Sequence, residues 1–485
     1  MPHDLPGERT NAIAVTANHD HGLRRELGPL AGIAIVVGTV IGTGIFLKSA
    51  VMAQLLGSAG WLLLAWVAAG LLSLAGTFTY AELAAMFPHS GGPYVYLREA
   101  YGRLPAFLFG WKELLSTKGA SNAAISVGIV IFLTALVPAH AVWARHTFHL
   151  FGETVLWQFG LQQVEAIGFI VVLSAINCIG VAAGGWAQTA LMICKLVGIA
   201  FLVLGAFLLA RNGSWNHVFS GGAGLHHVPA VSAFGAAMIA ALWAYSGWGD
   251  LAIAAGEVRQ PGRNLPRGLI LGILLVIVVY VVTNLAYTYA LPIADIATSN
   301  STAFPDASPV AGRVAAGFLG AGGAAFLSLL FVVSALGTLN GGILTGARIP
   351  FAMARDGQFP KALARVHPRA HTPVAAIAFL AFWASALTLT GTFDQLTTLI
   401  IFVDITIDFF AAGSIFILRR SMPDLPRPYR TPLFPLIPVL YIATLGWLII
   451  TTVKTSPLEA LGGLAILAVG LPVYWAYRPR RPVAA

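Results

Sequence analysis

Gly38-Thr39-Val40-Ile41-Gly42-Thr43-Gly44-Ile45-Phe46 interrupts an apolar run that begins near residue 30. A second interruption, Trp243-Ala244-Tyr245-Ser246-Gly247-Trp248-Gly249-Asp250, falls in the middle of another. In a bilayer, a broken helix leaves backbone N–H and C=O groups without partners, which is tolerated only where they line a cavity or hold a ligand. A single glycine of this kind can also serve close helix packing. Two breaks at corresponding places in two halves of a chain point instead to a binding site at the midplane of the membrane.

The surrounding composition agrees. The chain is 58% hydrophobic and 10% charged, against about 25% charged in a soluble domain. It reads as an all-α integral membrane protein whose first partner is the lipid bilayer. About twelve segments are long and apolar enough to cross it. They lie near 30–54, 59–86, 103–138, 162–183, 186–210, 230–256, 267–291, 315–351, 373–391, 394–418, 432–453 and 458–477. The first 28 residues are polar and show no cleavable signal.

Charge placement sets the orientation. With the first segment starting inside, cytoplasmic stretches hold twenty of the 28 Lys and Arg, from Arg9, Arg24 and Arg25 through Arg348, Arg355 and Arg369 to Arg478, Arg480 and Arg481. The opposite side receives Lys48, Arg145, Arg211, Arg313 and Lys454, and three lysines, Lys112, Lys118 and Lys195, fall within segments. This asymmetry places both termini in the cytoplasm. It accounts for the net charge of +9 without a nucleic-acid partner. A plasma or bacterial inner membrane is the expected location.

The breaks divide the chain. Residues 1–28 form a cytoplasmic tail, 29–211 a first unit of five segments, 229–418 a second unit of five, 432–478 two peripheral segments, and 479–485 a short tail. Each unit opens with a broken helix, and the two are crossed in opposite directions, which is the pattern of an inverted repeat. Ile293–Pro309 reads as an outer loop, either a connector or a lid. Cys178 and Cys194 lie in apolar segments and read as small buried hydrophobes. No metal-ligand spacing is present, and no cofactor is expected. The chain lacks Gly-Lys-Ser/Thr phosphate loops, His-Glu-x-x-His and Gly-x-Ser-x-Gly. It therefore shows no machinery of an ATP-driven pump or a membrane hydrolase, and is not read as an enzyme.

Four stretches in order carry a family resemblance. They are Ile41-Gly42-Thr43-Gly44-Ile45-Phe46; Tyr80-Ala81-Glu82-Leu83 with Pro88-His89-Ser90-Gly91-Gly92-Pro93-Tyr94; Trp111-Lys112-Glu113-Leu114-Leu115 with Lys118; and Trp243-Ala244-Tyr245-Ser246-Gly247-Trp248 with Glu257 and Pro261-Gly262-Arg263-Asn264-Leu265-Pro266. Together they resemble the amino acid–polyamine–organocation superfamily, and within it the L-type amino acid transporters. The resemblance implies a LeuT-like fold of 5+5 helices with helices 1 and 6 broken. It also implies transport of amino acids, neutral L-amino acids foremost, by a sodium-independent exchanger or proton-linked carrier. A cationic amino acid or polyamine antiporter and an amino-acid-sensing transceptor are the alternatives. No Cys occurs between Val137 and Leu161, so no disulfide-linked heavy subunit is expected. The oligomeric state is left open.

The same resemblance locates the substrate among Val40, Ile41, Gly42, Thr43 and Gly44 of the first break and Trp243, Ala244, Tyr245, Ser246 and Gly247 of the second. The substrate carboxylate would meet N–H groups at Thr43 and Gly44, and its amino group the carbonyls of Val40 and Trp243. Dipole physics favours the same division, since half-helix starts suit anions and half-helix ends suit ammonium groups. Trp243 reads as an outer gate. Lys195 lies in a segment with no nearby acid, where a lone ammonium costs at least ~2.5–3.5 kcal/mol on insertion scales. By resemblance it fills the space of a sodium ion, either as a fixed strut or as a proton-exchanging group, with Ser334 and Thr338 as neighbours. Glu113, Lys112 and Lys118 read as a charge network reaching Glu82 or Asp250. Arg348 and Arg355 read most simply as topology determinants, with inner-gate pairing as the sharper alternative.

Overall fold

The structure, a computed structural model, describes residues 23–134, 141–150, 153–219, 230–301, 303–304, 307–389, 393–455 and 457–477. Arg9 and most of the amino-terminal tail lie outside them, as do Arg478, Arg480 and Arg481.

The chain is built almost wholly of helices. In order they are α1 (Pro29–Val40), α2 (Gly44–Leu56), α3 (Ala59–Met86), α4 (Pro93–Tyr101), α5 (Arg103–Lys112), a π-helix (Glu113–Ala120), α6 (Ser121–Thr134), α7 (Leu161–Ile179), α8 (Val181–Leu209), α9 (Trp215–Val218), α10 (Ala230–Tyr245), α11 (Asp250–Ile253), α12 (Pro261–Ala290), α13 (Ile293–Ala297), α14 (Val310–Leu319), α15 (Gly322–Gly346), α16 (Arg348–Arg355), α17 (Val374–Thr388), α18 (Phe393–Ser421), α19 (Leu436–Thr455) and α20 (Pro457–Tyr477). Seven described helices are long and apolar enough to cross a membrane, and the bent pair α1–α2 makes eight. The other expected segments depart from a plain span. One carries the π-helix, one breaks after Tyr245, α17 has 15 residues, and α18 begins beside residues outside the described set.

Two stretches differ from the sequence reading. The connection after α6, between the expected segments 103–138 and 162–183, contains an antiparallel hairpin, β1 (Val142–Leu150) paired with β2 (Glu153–Gly160). Pro261–Pro266, which precedes the expected segment 267–291, is already helical and opens α12. Proline is tolerated there because first-turn N–H groups have no intrahelical acceptor. The connection after α12, expected to be an outer loop, carries α13, and Gln54 donates to the Ala297 carbonyl at 2.6 Å.

The core sits where α1, α3, α8, α10, α12 and α15 converge, with Ile35, Val37, Trp66, Tyr245, Ile273 and Leu339 fully buried. Small residues let the backbones approach. A Cβ on Gly272 would lie 2.6 Å from Val36 Cβ, and one on Gly268 2.5 Å from Leu251 Cδ2. By contrast, α7, α8, α19 and α20 expose Val171, Trp186, Leu208, Val439 and Leu464, the pattern of surfaces that face lipid. Cys178 is half-buried and Cys194 exposed, both free. Cys194 thus lies on the outer face of α8, not in the core.

Candidate functional site

The first break is short. Helix α1 ends at Val40, α2 begins at Gly44, and their axes bend by 44°. The first N–H groups of α2, at Gly44 and Ile45, have no intrahelical acceptor, as at any helix start. In the second break α10 ends at Tyr245, and α11 begins at Asp250. Gly247 holds φ at +103°, a conformation open to glycine and costly for other residues.

The two breaks touch. A Cβ on Gly44 would lie 2.6 Å from Ala244 Cβ and 2.7 Å from Ala244 Cα. The Thr39 hydroxyl reaches the carbonyl of Gly247 at 3.1 Å. Tyr280 Oη lies 2.9 Å from the Val40 carbonyl and 2.8 Å from that of Ala244, so one phenol proton serves both breaks.

Beside this junction lies a cavity of about 110 Å³. Val40, Gly42, Thr43, Gly44, Trp243, Ala244, Ser246 and Gly247 line it, together with Lys118 and Asp250. Two expected residues do not. The Ile41 carbonyl accepts from the Lys195 ammonium and, at 2.9 Å, from the Ser334 hydroxyl. Tyr245 turns into the core, its hydroxyl donating to the Trp66 carbonyl at 3.2 Å. The carbonyls assigned to an ammonium are also engaged. That of Val40 accepts from Gly42 N–H at 2.8 Å and faces Tyr280, and that of Trp243 accepts from Ser246 N–H at 3.2 Å. A carbonyl has two lone pairs, so Val40 is saturated in this conformation.

Lys195 is fully buried. Its ammonium donates to the carbonyls of Gly38, at 2.9 Å, and Ile41. Thr338 Oγ1 reaches the Gly38 carbonyl at 3.1 Å, so Lys195 and α15 hold the end of α1 together. Carbonyl oxygens of an unwound helix end are where a cation belongs, and the ammonium supplies that charge from within the chain.

The charged residues of the third segment divide between two partners. Lys118 donates to both carboxylate oxygens of Asp250 at 2.6 Å. Lys112 donates to Glu113 at 2.5 Å and to Asp404 at 2.6 Å. Glu82 is not part of this network, because both its oxygens accept from Arg419, at 2.8 and 2.7 Å. Trp243 stands between the cavity and Lys48, whose ammonium lies 5.6 Å from the indole centroid.

At the start of α16, Arg348 forms a fork with Glu257, Nε and Nη2 each 2.8 Å from a carboxylate oxygen, both side chains 0% exposed. A topology determinant would face water; Arg348 is instead a buried tie between the second break's exit and α16. Nearby, Arg98 meets Asp356 at 2.5 Å. Tyr94 donates to the same carboxylate at 2.8 Å, its phenol pushed well above its ordinary pKa by burial first and by Asp356 second.

Sequence reasoning passed over Asn122, Tyr280, Asp404 and Asp408. The last two could have been found as carboxylates inside an apolar segment. Asn122 is buried, lines the cavity and leaves its amide Nδ2 without a partner.

A family model described as amino acid permease matches residues 27–467. The chain belongs to the amino acid permease family. This permease is similar to the serine/threonine exchanger SteT of Bacillus subtilis (strain 168), 34% identical over 95% of this chain and 99% of that protein. It is 29% identical to the b(0,+)-type amino acid transporter 1 of Mus musculus, over 95% of this chain and 91% of the other. It is 28% identical to the large neutral amino acids transporter small subunit 2 of the same organism, over 98% and 86%. The permease is an amino acid transporter of the membrane, and the cavity where its two breaks meet is the candidate site for the amino acid.

Proposed function

We propose that this permease exchanges small neutral L-amino acids across the cell membrane by alternating access, without sodium. In this reading twelve helices cross the bilayer with both termini in the cytoplasm, and residues 29–211 and 229–418 are inverted repeats of a LeuT-like fold. The observation that carries it is the contact of the two breaks at Gly44 and Ala244 beside a cavity lined by both.

The substrate carboxylate meets the start of α2 at Thr43 and Gly44, where free N–H groups and the helix dipole favour an anion. The ammonium meets the second break near Ser246 and Gly247, in place of the Val40 carbonyl. Trp243 closes the outer side. Sodium independence rests on Lys195, which already places a positive charge at the Gly38 and Ile41 carbonyls. Neutral selectivity rests on the closed pair Lys118–Asp250, which cancels both charges at the cavity wall. The small volume, the Thr338 hydroxyl and the unpartnered amide of Asn122 suit a short polar side chain. The similarity to a serine/threonine exchanger points the same way.

Purified permease in liposomes tests this reading. Uptake of labelled serine should require amino acid inside the vesicle and remain unchanged when choline replaces sodium. Binding of serine without flux under any gradient would make the protein a sensor instead, and stimulation by sodium would overturn the role given to Lys195.

A further inference from the structure

The stretch between α16 and α17 forms a second cavity of about 580 Å³, several times larger than the one at the breaks. Arg355, Lys361, His367 and His371 stand in its wall, and among the described residues no carboxylate lines it. Residues 355–371 hold four Lys and Arg and two His against one acid, Asp356. That acid is spent elsewhere, accepting from Arg98 at 2.5 Å and from Tyr94 at 2.8 Å. Among the described residues, neither Arg355 nor Lys361 meets a carboxylate. A topology determinant needs only to carry charge on the correct side of the membrane. Gathering cations round one hollow also costs like-charge repulsion, which an anion placed among them relieves.

The wall is held by its own backbone. His367 N–H donates to the Thr372 carbonyl at 2.9 Å, and His371 N–H to the His367 carbonyl at 2.9 Å. Nδ1 of His367 accepts from the Ala370 N–H at 3.1 Å, so in the neutral ring the proton sits on Nε2 as a donor. At the end of α16 the carbonyls of Ala352, Met353 and Ala354 are already taken by the N–H groups of Asp356, Gln358 and Gly357. The hollow therefore offers donors and positive charge.

Phe359 sets its depth in the membrane. That ring packs on Phe379 of α17, with centroids 5.8 Å apart, and on Tyr477 at the end of α20, at 6.1 Å. Trp475 and Tyr477 are exposed, as aromatic residues are where a span meets the headgroups. One turn along α17 from Phe379, Phe382 is 71% exposed and offers apolar surface to an acyl chain.

We propose that this cavity binds the phosphate headgroup of an anionic phospholipid at the edge of the bilayer. Arg355 forks onto the phosphate oxygens, Lys361 supplies a second charge, and Nε2 of His367 adds a donor. The acyl chains descend along α17 past Phe382. Basic hollows between membrane helices suit such headgroups. The orientation proposed above makes this the cytoplasmic leaflet; the binding itself does not depend on it.

The test titrates the detergent-solubilised permease with dioctanoyl phosphatidylglycerol, dioctanoyl phosphatidylcholine or sodium phosphate and reads the thermal unfolding midpoint, which a bound ligand raises. Phosphatidylglycerol should raise it saturably, and the other two should not. Arg355→Gln with Lys361→Gln should increase the half-saturating concentration of phosphatidylglycerol about tenfold or more. Lys361→Gln alone, a change at an exposed side chain, should increase it several-fold, so the result stands even where the double variant folds poorly. Arg420→Gln, which removes an exposed cation from the end of α18, should leave it unchanged. No stabilisation by phosphatidylglycerol, equal stabilisation by phosphatidylcholine, or an equal loss in Arg420→Gln and the double variant overturns the proposal. Stabilisation by sodium phosphate at the same concentrations overturns it too, since the hollow would then take a free anion. No arm measures transport, so a failure of the exchanger reading leaves these outcomes intact.

Discussion

Arg348 and Glu257 meet in a two-point fork, each bond 2.8 Å long, with neither side chain reaching solvent. The pair joins the turn that follows the second break to the start of α16. Removing one member leaves the other as an uncompensated buried charge, which costs about 3–5 kcal/mol. Removing both replaces an ion pair by neutral groups and costs far less. We expect Arg348→Met to lower the thermal unfolding midpoint sharply, and Arg348→Met with Glu257→Gln to recover much of the loss. Equal midpoints for the single and double variants would show that the fork contributes nothing.

Lys195→Met keeps the length of the side chain and removes its charge. Membrane insertion should improve, since a central lysine costs at least ~2.5–3.5 kcal/mol. Exchange should nevertheless fall more than tenfold, because the carbonyls of Gly38 and Ile41 lose their cation. Serine uptake at matched protein levels measures this. Full activity in the variant would reduce Lys195 to a bystander.

Gly44→Ala should abolish transport, because the added carbon would lie 2.6 Å from Ala244 Cβ and 2.7 Å from Ala244 Cα. The second contact is with backbone, so Ala244→Gly should not rescue it. Rescue by that second substitution, read by uptake, would mean that the breaks can separate.

Lys48 stands over the Trp243 ring at 5.6 Å, a cation–π contact worth about 0.5–2 kcal/mol. Lys48→Met should loosen the indole and weaken apparent serine affinity several-fold. Trp243→Phe should weaken it less than Trp243→Ala, as expected of a lid that works by area. Equal affinities for the two Trp243 variants would remove Trp243 from the outer gate.

Much of the fold was legible because a bilayer makes broken backbone and lone charges costly. Lys195, alone among apolar residues, announced a buried acceptor set, and the structure supplies it from Gly38 and Ile41. Pairings across the fold were not legible. Nothing near Lys112 in sequence reveals Asp404, 292 positions away, and Glu82 finds Arg419 at a separation of 337. Carbonyl directions were equally hidden. Val40 and Ile41 are adjacent, yet the Val40 carbonyl meets Tyr280 and that of Ile41 meets Lys195 and Ser334.

The π-helix Glu113–Ala120 makes the third segment a matter of counting. Its wide turn accommodates extra chain without shifting either flanking helix, and such insertions recur at working sites. Lys112 lies before it, Lys118 within it and Asn122 just past it, so the bulge sets their relative angles. Deleting one residue there would tighten the wide turn toward ordinary pitch and re-aim Lys118, which lies within it, relative to the helices on either side. The Lys118–Asp250 pair at the cavity wall would then be lost while the span kept its apolar character. In the function proposed here, selectivity is thus written partly in the length of one turn, a quantity that changes by insertion and deletion and is untouched by substitution.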